Sequence, residues 1–170
     1  MNDESLKGSL AVINTNSRNH FDAYRLINAL NLNSVCLVLN RTAGNMKKLL
    51  KSASINIPVA FIDGISSKIG IEKSSEHSYI DNPEDIASIV GSIEASLAKV
   101  SGDKALVIDS INNLSEYHDK KSVLDLLSFL SDRAGKLDIT AFVLNQHAGN
   151  ASGEFLREAS KITKNIITLP

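Results

Sequence analysis

Asp109 and Ser110 are the residues whose types and position in this sequence most strongly suggest chemistry. They come directly after an apolar segment, residues 105–108, made of Ala, Leu, Val and Ile. Ligands of α/β proteins bind at the carboxyl ends of the parallel strands. A carboxylate at such an end can hold a magnesium ion, either directly or through a bound water. We therefore predict Asp109 as a metal-ligand candidate and Ser110 as its neighbour in a binding site for phosphate groups.

A second set of candidates follows the first apolar segment, residues 9–15. A phosphate-binding loop normally joins such a strand to a helix, and it needs glycines for its turn and a lysine for the phosphate charge. This sequence has no glycine between Gly8 and Gly44, and the stretch between them contains no lysine. The residues in the place of such a loop are Thr15, Asn16, Ser17 and Arg18. We predict a degenerate nucleotide-binding loop in which Arg18 could take the place of the lysine.

Two amides form a third set. Asn145 and Gln146 end another apolar segment, residues 139–144, so we expect them at the same edge of the sheet and predict them as nucleotide-binding residues too. The alternative is that these amides only satisfy backbone groups of the surrounding loops. The other polar residues expected near this edge are Asn14, His20, Asn40, Arg41, Asp63 and His147.

The composition excludes several classes of function. The chain has 170 residues and a formal net charge of −1 with both signs interspersed, so we predict neither nucleic acid nor a membrane surface as its partner. Its polar, acidic start lacks the basic and apolar regions of a signal peptide, and no apolar segment is long enough to span a bilayer. The single cysteine, Cys36, suits a reducing compartment. These features predict a cytoplasmic protein.

Apolar segments alternate with segments of helical period along the chain. The apolar segments are residues 9–15, 34–40, 58–63, 104–109, 139–145 and 165–169. Most are too continuously apolar for half-exposed strands, so the alternation predicts an α/β fold with a parallel sheet buried on both faces. The length predicts one domain, residues 1–170. Within it, residues 64–81 are rich in Ser, Lys, Glu and Gly, which predicts a flexible excursion that could contact a partner, or a short exposed hairpin around 77–80.

Two helix boundaries carry sequence signals. Asn82 can cap a helix and Pro83 suits its first helical position, with acidic residues following, so we predict that the third helix starts there. Gly135 follows a basic residue near the end of the next helical segment. Glycine readily ends a helix, so we predict that this helix stops within a few residues of Gly135.

Several strand segments resemble one family. Residues 105–110, Ala-Leu-Val-Ile-Asp-Ser, resemble the Walker B strand of the RecA-like ATPases, and those of the archaeal KaiC-like group most of all. Residues 35–41 are similar to the second strand of that family, and residues 59–63 to the extra strand after its second helix. Residues 142–146 resemble the strand whose polar end senses the γ-phosphate. The resemblance extends over nearly the whole chain.

The resemblance implies a fold and a cofactor. The implied fold is an α/β three-layer sandwich with a mainly parallel RecA-like sheet of about six strands and helices on both faces. In it, the strand of residues 139–145 lies between the first strand and the strand that ends at Asp109. The implied cofactor is magnesium-bound ATP, and the implied assemblies are rings or filaments formed through faces beside the nucleotide crevice.

Two parts of the implied machinery are missing from the sequence. Residues 16–20, Asn-Ser-Arg-Asn-His, stand where the family has its glycine-rich Walker A loop, so the turn that points backbone N–H groups at phosphate is lost. Asn40 and Arg41 stand where the family has the carboxylate that activates the attacking water. An amide cannot take the proton of that water, so ATP hydrolysis is not expected.

Three hypotheses remain open from the sequence. The first is a non-catalytic domain that acts as a regulatory or assembly module without a cofactor, its partner being a second copy of itself or an active KaiC-like ATPase. The second is a nucleotide-binding protein or weak ATPase that holds magnesium ATP with Arg18, the start of the first helix and Asp109. The third is another α/β enzyme or a receiver-like signalling domain, although Asn14 and Thr15 do not supply the acidic pair that a receiver carries there.

Overall fold

The computed structural model describes residues 6–16, 19–55, 59–146 and 151–170. These residues form an α/β fold in which a parallel sheet carries helices on both faces. In chain order the elements are β1 (Leu10–Thr15), α1 (His20–Ala29), β2 (Asn33–Val38), α2 (Ala43–Ser52), β3 (Val59–Asp63), β4 (Ser78–Tyr79), α3 (Ile86–Lys99), β5 (Lys104–Asp109), α4 (Ile111–Leu114), α5 (Lys120–Leu137), β6 (Thr140–Gln146), α6 (Ala151–Ala159) and β7 (Asn165–Thr168).

The sheet has seven strands in the order β4-β3-β2-β5-β6-β1-β7, and every pairing is parallel. The expected α/β sandwich and the place of β6 between β1 and β5 are therefore confirmed. The expected number of about six strands is low by one, because β4 is a strand of only two residues, Ser78 and Tyr79. It pairs in parallel with the end of β3 and so is not part of a hairpin.

The strands alternate their side chains between two apolar clusters, as the two-residue period of a strand requires. Along β5, Ala105 and Val107 face the cluster beneath α1 and α2, whereas Leu106 and Ile108 face the cluster beneath α3 and α5. This alternation decides toward which face of the sheet the last side chain of each strand points. Asp109 follows in the series of Ala105 and Val107, so β5 presents its carboxylate toward α1.

The start of α3 differs from the sequence prediction, whereas the end of α5 lies within a few residues of it. Helix α3 begins at Ile86, and its N-cap is Asp85, whose side chain accepts a hydrogen bond from the Ala87 amide. Asn82 instead accepts from the Glu84 amide in the preceding turn. Helix α5 continues through Gly135 to Leu137, and the chain leaves it at Asp138, which adopts a left-handed conformation with φ of 53°.

Asp63 organises the connection that follows β3. Its two carboxylate oxygens accept hydrogen bonds from the backbone amides of Ala43, Ile65 and Ser66 and from the Ser66 hydroxyl, at 2.7–2.9 Å. This carboxylate is buried and its bonds are all to its own loop and to the start of α2. Asp63, expected at the functional edge, therefore has a structural role in fixing the β3 and α2 ends. Among the helices of the described residues, none is both long and apolar enough to cross a membrane.

Candidate functional site

Asn16 and Asn19, which lie between β1 and α1, hydrogen-bond to each other. Strand β1 ends at Thr15 and α1 begins at His20. The Asn16 amide donates to Asn19 Oδ1 at 2.6 Å, and the Asn19 amide donates to Asn16 Oδ1 at 3.1 Å. Two backbone N–H groups beside the helix start are therefore already bound by side-chain oxygens. Ser17 and Arg18, two predicted members of this loop, lie outside the described residues, as does His147.

Asp109 is the centre of the site. Its carboxylate is fully buried at the end of β5, and one of its oxygens, Oδ2, accepts a hydrogen bond from the Tyr24 hydroxyl at 2.9 Å. His20 Nε2 lies 3.2 Å from the same oxygen. His20 and Tyr24 are four residues apart on α1, so both project from one face of the helix toward the sheet. Two side chains of α1 thus contact one carboxylate oxygen of Asp109, the predicted metal ligand.

Gln146 completes the contacts around the His20 ring. Its side-chain nitrogen lies 2.9 Å from His20 Nδ1. An amide nitrogen can only donate, so Nδ1 accepts and the ring hydrogen lies on Nε2, where it is donated to Asp109. The Gln146 backbone amide donates in turn to Asn112 Oδ1 at 2.9 Å. Gln146, predicted to contact a nucleotide, thereby orients the histidine that contacts Asp109.

Several buried polar atoms at this edge have no hydrogen-bond partner among the described residues. They are Thr15 Oγ1, Asp109 Oδ1, Ser110 Oγ and Asn113 Nδ2. Such atoms are rare in folded proteins because each loses its contact with water on burial. Three of the four belong to residues predicted as site residues from the sequence. The edge therefore retains unused donors and acceptors beside the occupied oxygen of Asp109.

Asn145 faces the opposite side of the sheet from Gln146. Its side-chain nitrogen donates to Asn14 Oδ1 on the neighbouring strand at 2.8 Å, and both residues are buried. The two-residue period of the strands thus places the predicted site residues on both faces of the sheet. Thr15, Asp109 and Gln146 lie on the α1 side, and Asn145 pairs with Asn14 on the other side. Ser110 lies at the N-cap of the short helix α4, where its hydroxyl makes no capping bond.

Burial sets the proton chemistry of the interior groups next to Asp109. Burial raises the pKa of the Tyr24 hydroxyl well above its usual value of 10.0, and the nearby Cys36 and Asp109 raise it further. Tyr24 Oη lies 3.5 Å from the Cys36 sulfur, and burial likewise raises the pKa of the Cys36 thiol. Both groups therefore stay protonated at neutral pH, and Tyr24 remains a hydrogen-bond donor to Asp109.

The sequence pointed to the strand ends but missed the role of α1. His20 was expected only near the edge, and Tyr24 was not among the predicted site residues. Their four-residue spacing and the alternation that turns Asp109 toward α1 indicate that these side chains lie on facing surfaces, but they do not specify the contact itself.

The groups present do not fit a bound magnesium triphosphate as the fold family would hold it. The amides of Asn16 and Asn19 are taken by side chains, so they cannot bind phosphate. The imidazole of His20 lies between Asp109 and Gln146. Three oxygen atoms remain without a hydrogen-bond partner among the described residues, namely Asp109 Oδ1 and the hydroxyl oxygens of Thr15 and Ser110. In the same part of the chain, no lysine or arginine forms an ion pair or hydrogen bond with them.

Comparisons with known proteins place the chain in a family and support its fold. The model of a family of unknown function, DUF7090, matches residues 34–165. No curated protein matches the chain. Among solved structures, the chain is similar to the uncharacterized protein PH0321 from Pyrococcus horikoshii, in complex with an unknown peptide, with a TM-score of 0.69 and 14% identity over 95% of this chain and 77% of that one.

A second solved structure is a KaiC-like protein, PH0186, from Pyrococcus horikoshii OT3. Its TM-score is 0.60, and the identity is 20% over 96% of this chain and 73% of that one. At such identities the likeness establishes the fold alone, which is that of RecA-like and KaiC-like domains. The expected resemblance to this fold is thereby confirmed.

Proposed function

This chain belongs to DUF7090, a family of unknown function, and from that premise we propose that its RecA-like domain is a non-catalytic, KaiC-like regulatory or assembly module. In this proposal the Walker A loop is degenerate and the domain binds a protein in place of turning over ATP. No cofactor is part of this function.

The observation that carries the proposal is the double hydrogen bonding of Asp109 Oδ2 by Tyr24 and His20. In a nucleotide-hydrolysing relative, this carboxylate would have to face a metal-bound water. Here two side chains of α1 take that oxygen, and burial holds Tyr24 in its donor form. The mutual hydrogen bonds of Asn16 and Asn19 support the same conclusion for the phosphate-binding side.

A protein partner fits the proposal better than a nucleic acid does. The net charge of −1 gives the chain no overall attraction for a phosphate backbone. The fold neighbour PH0321 is in complex with an unknown peptide, which supports peptide binding by domains of this shape. We propose that the partner is a second copy of this chain or an active KaiC-like ATPase, in the cytoplasm. Light scattering that finds only monomers at all concentrations would contradict self-association.

The proposal is tested by thermal melting with and without millimolar Mg-ATP, Mg-GTP and ADP. A ligand that binds only the native state must raise the melting temperature by mass action. We expect no rise with any nucleotide. A rise that disappears in Asp109→Asn would overturn the proposal, and Asp22→Asn, which changes an exposed carboxylate on α1, is the matched control.

A second candidate function is nucleotide binding, or weak ATPase activity, in an unusual cradle. It is favoured by the unpartnered atoms of Thr15, Asp109 and Ser110, which a bound magnesium ATP could satisfy. Arg18 would then supply the cation for the phosphates. Under this candidate, both Asp109→Asn and Arg18→Ala remove the rise in melting temperature that nucleotide causes. If the domain is a non-catalytic module, nucleotide raises the melting temperature in neither the wild type nor the variants.

A further inference from the structure

A concave surface lies beside the carboxyl end of β2, and none of the residues that line it contacts Asp109 among the hydrogen bonds of the described residues. It is lined by Asn40, Arg41, Asn45, Lys48 and Leu49, and its volume is about 500 Å³. Because three of its lining residues, Asn45, Lys48 and Leu49, lie on helix α2, we call it the α2 concavity. No carboxylate contributes to its lining. Its polar groups are two cations and two amides, so it offers hydrogen-bond donors and positive charge together.

The two cations of the α2 concavity have no acidic partner among the described residues. Most cations of the described chain are paired, and the neighbouring Lys47, for example, contacts Glu76 at 3.1 Å. The Arg41 side chain donates only to its neighbour Asn40, with Nε 3.1 Å from Oδ1. Lys48 is exposed on α2. A local excess of positive charge is notable in a chain whose net charge is −1.

Arg41 connects this surface to the interior. Burial raises the pKa of the Cys36 thiol, and the positive charge of Arg41 acts in the opposite direction. The guanidinium therefore lies close enough to the sheet for its charge to act on the Cys36 side chain of β2. Arg41 is half-buried at this surface, and Lys48 is exposed on helix α2.

The shape of the α2 concavity favours a protein over a small molecule. Sites for small molecules usually enclose most of the ligand surface. This surface is shallow and open, with five lining residues, so a small anion would stay in water that screens both cations. Leu49 adds an apolar contact beside the charges, since 38% of its surface is exposed. An extended segment with acidic and apolar side chains would cover both kinds of group.

We propose that the α2 concavity binds an acidic segment of a partner protein, with a carboxylate at Arg41 and Lys48 and an apolar side chain against Leu49. Arginine and carboxylate form paired hydrogen bonds of matching geometry, and the amides of Asn40 and Asn45 can donate to the same segment. This inference rests on the proposed function, since it names the chemistry of the partner of a binding module.

The test is a titration followed by ¹H–¹⁵N correlation spectra of the full chain. The probe is a synthetic peptide of Glu and Asp residues around one Leu, and a peptide with Gln and Asn in their place is the control. We expect the side-chain amide signals of Asn40 and Asn45 to move with the acidic peptide only. In the double variant Arg41→Gln, Lys48→Gln the affinity should fall about tenfold or more, the loss expected when two charged contacts are removed.

A matched control separates local from general electrostatics. Lys99 is an exposed lysine at the far end of α3, without an ion pair among the described residues, so Lys99→Gln should keep the full affinity. Lys48→Glu provides a second variant at an exposed position and should abolish binding. Higher salt should weaken the binding of the acidic peptide to the wild type.

Three outcomes would overturn the inference. The first is no movement of these signals, the second is equal binding of inorganic pyrophosphate, and the third is tighter binding of single-stranded RNA at the same residues. A different result would contradict the proposed function, namely a rise in melting temperature with nucleotide that requires Asp109. Measuring that melting in the Arg41→Gln, Lys48→Gln variant keeps the two tests apart, because a nucleotide held at Asp109 would still raise its melting temperature.

Discussion

His20 Nε2 lies 3.2 Å from Asp109 Oδ2, although 89 residues separate the two in the chain. The contact joins the start of α1 to the end of β5, and Gln146 fixes the histidine ring from the other side. In this arrangement the carboxylate at the end of β5 contacts the protein itself. Under the proposed function, this relationship is the physical reason why the RecA-like domain would not turn over nucleotide.

The Tyr24 hydroxyl should contribute measurably to stability. Tyr24→Phe removes the hydrogen bond to the buried Asp109 carboxylate and leaves His20 as its one remaining donor among the described residues. Hydrogen bonds to charged groups are worth about 2 kcal/mol, so we expect the free energy of unfolding to fall by about that amount in urea denaturation. Tyr79→Phe, whose hydroxyl accepts from the exposed Ser74 amide, is the control and should change it by less than about 0.5 kcal/mol. Equal effects of the two changes would contradict the role of Tyr24.

The same tyrosine should make the protein sensitive to alkali. Burial raises the pKa of Tyr24 in the folded protein well above 10.0, whereas the unfolded chain ionises this group near its usual value. Its contribution is therefore complete below about pH 10 and is lost as the pH rises from there toward the folded pKa. Melting temperatures measured across this range should converge for wild type and Tyr24→Phe. A constant difference between them up to strongly alkaline pH would rule out this linkage.

Cys36 should be unreactive in the folded protein. The thiol is buried, and burial raises its pKa, so the reactive thiolate is scarce at neutral pH. We expect its reaction with a disulfide reagent to be slow in buffer, to proceed no faster than unfolding, and to be immediate in denaturant. Rapid stoichiometric reaction of the native protein would show that the thiol is accessible, contrary to the structure.

Asp63 should behave as a structural carboxylate. Asp63→Asn replaces one acceptor oxygen with an amide group that faces donors from Ala43, Ile65 or Ser66. A buried donor left without a partner costs about 2 kcal/mol, so we expect a loss of stability of about that size in urea denaturation. The control is Asp22→Asn, which breaks an exposed ion pair with Arg25 and should cost less than about 0.5 kcal/mol. If both variants were equally stable, the hydrogen bonds of Asp63 would not be formed in solution.

The fold was predictable because its main signals are local. Continuous apolar segments predicted the buried parallel strands, and six of the seven were found within about two residues. Strand β4 escaped because two residues show no period. The start of α3 was misplaced because Asn82 and Asp85 are both good capping residues, and the N-cap is Asp85, whose side chain accepts from the Ala87 amide.

The candidate site was predictable in position but not in contacts. A polar residue at a strand end can be found in the sequence, as Asp109 and Gln146 were. What it touches depends on the angle at which α1 crosses the sheet, and the sequence carries no direct signal for that angle. The pairing of His20 with Asp109 is such a tertiary contact, and it changes the interpretation of the whole edge.

The most direct test of the account is equilibrium titration of a fluorescent ATP analogue with magnesium against the wild type, His20→Ala and Asp109→Asn. The wild type should show no saturable binding at millimolar concentration, because His20 and Tyr24 already bind Asp109. Saturable binding by the wild type that Asp109→Asn abolishes would contradict the account and establish this edge of the sheet as a working nucleotide site.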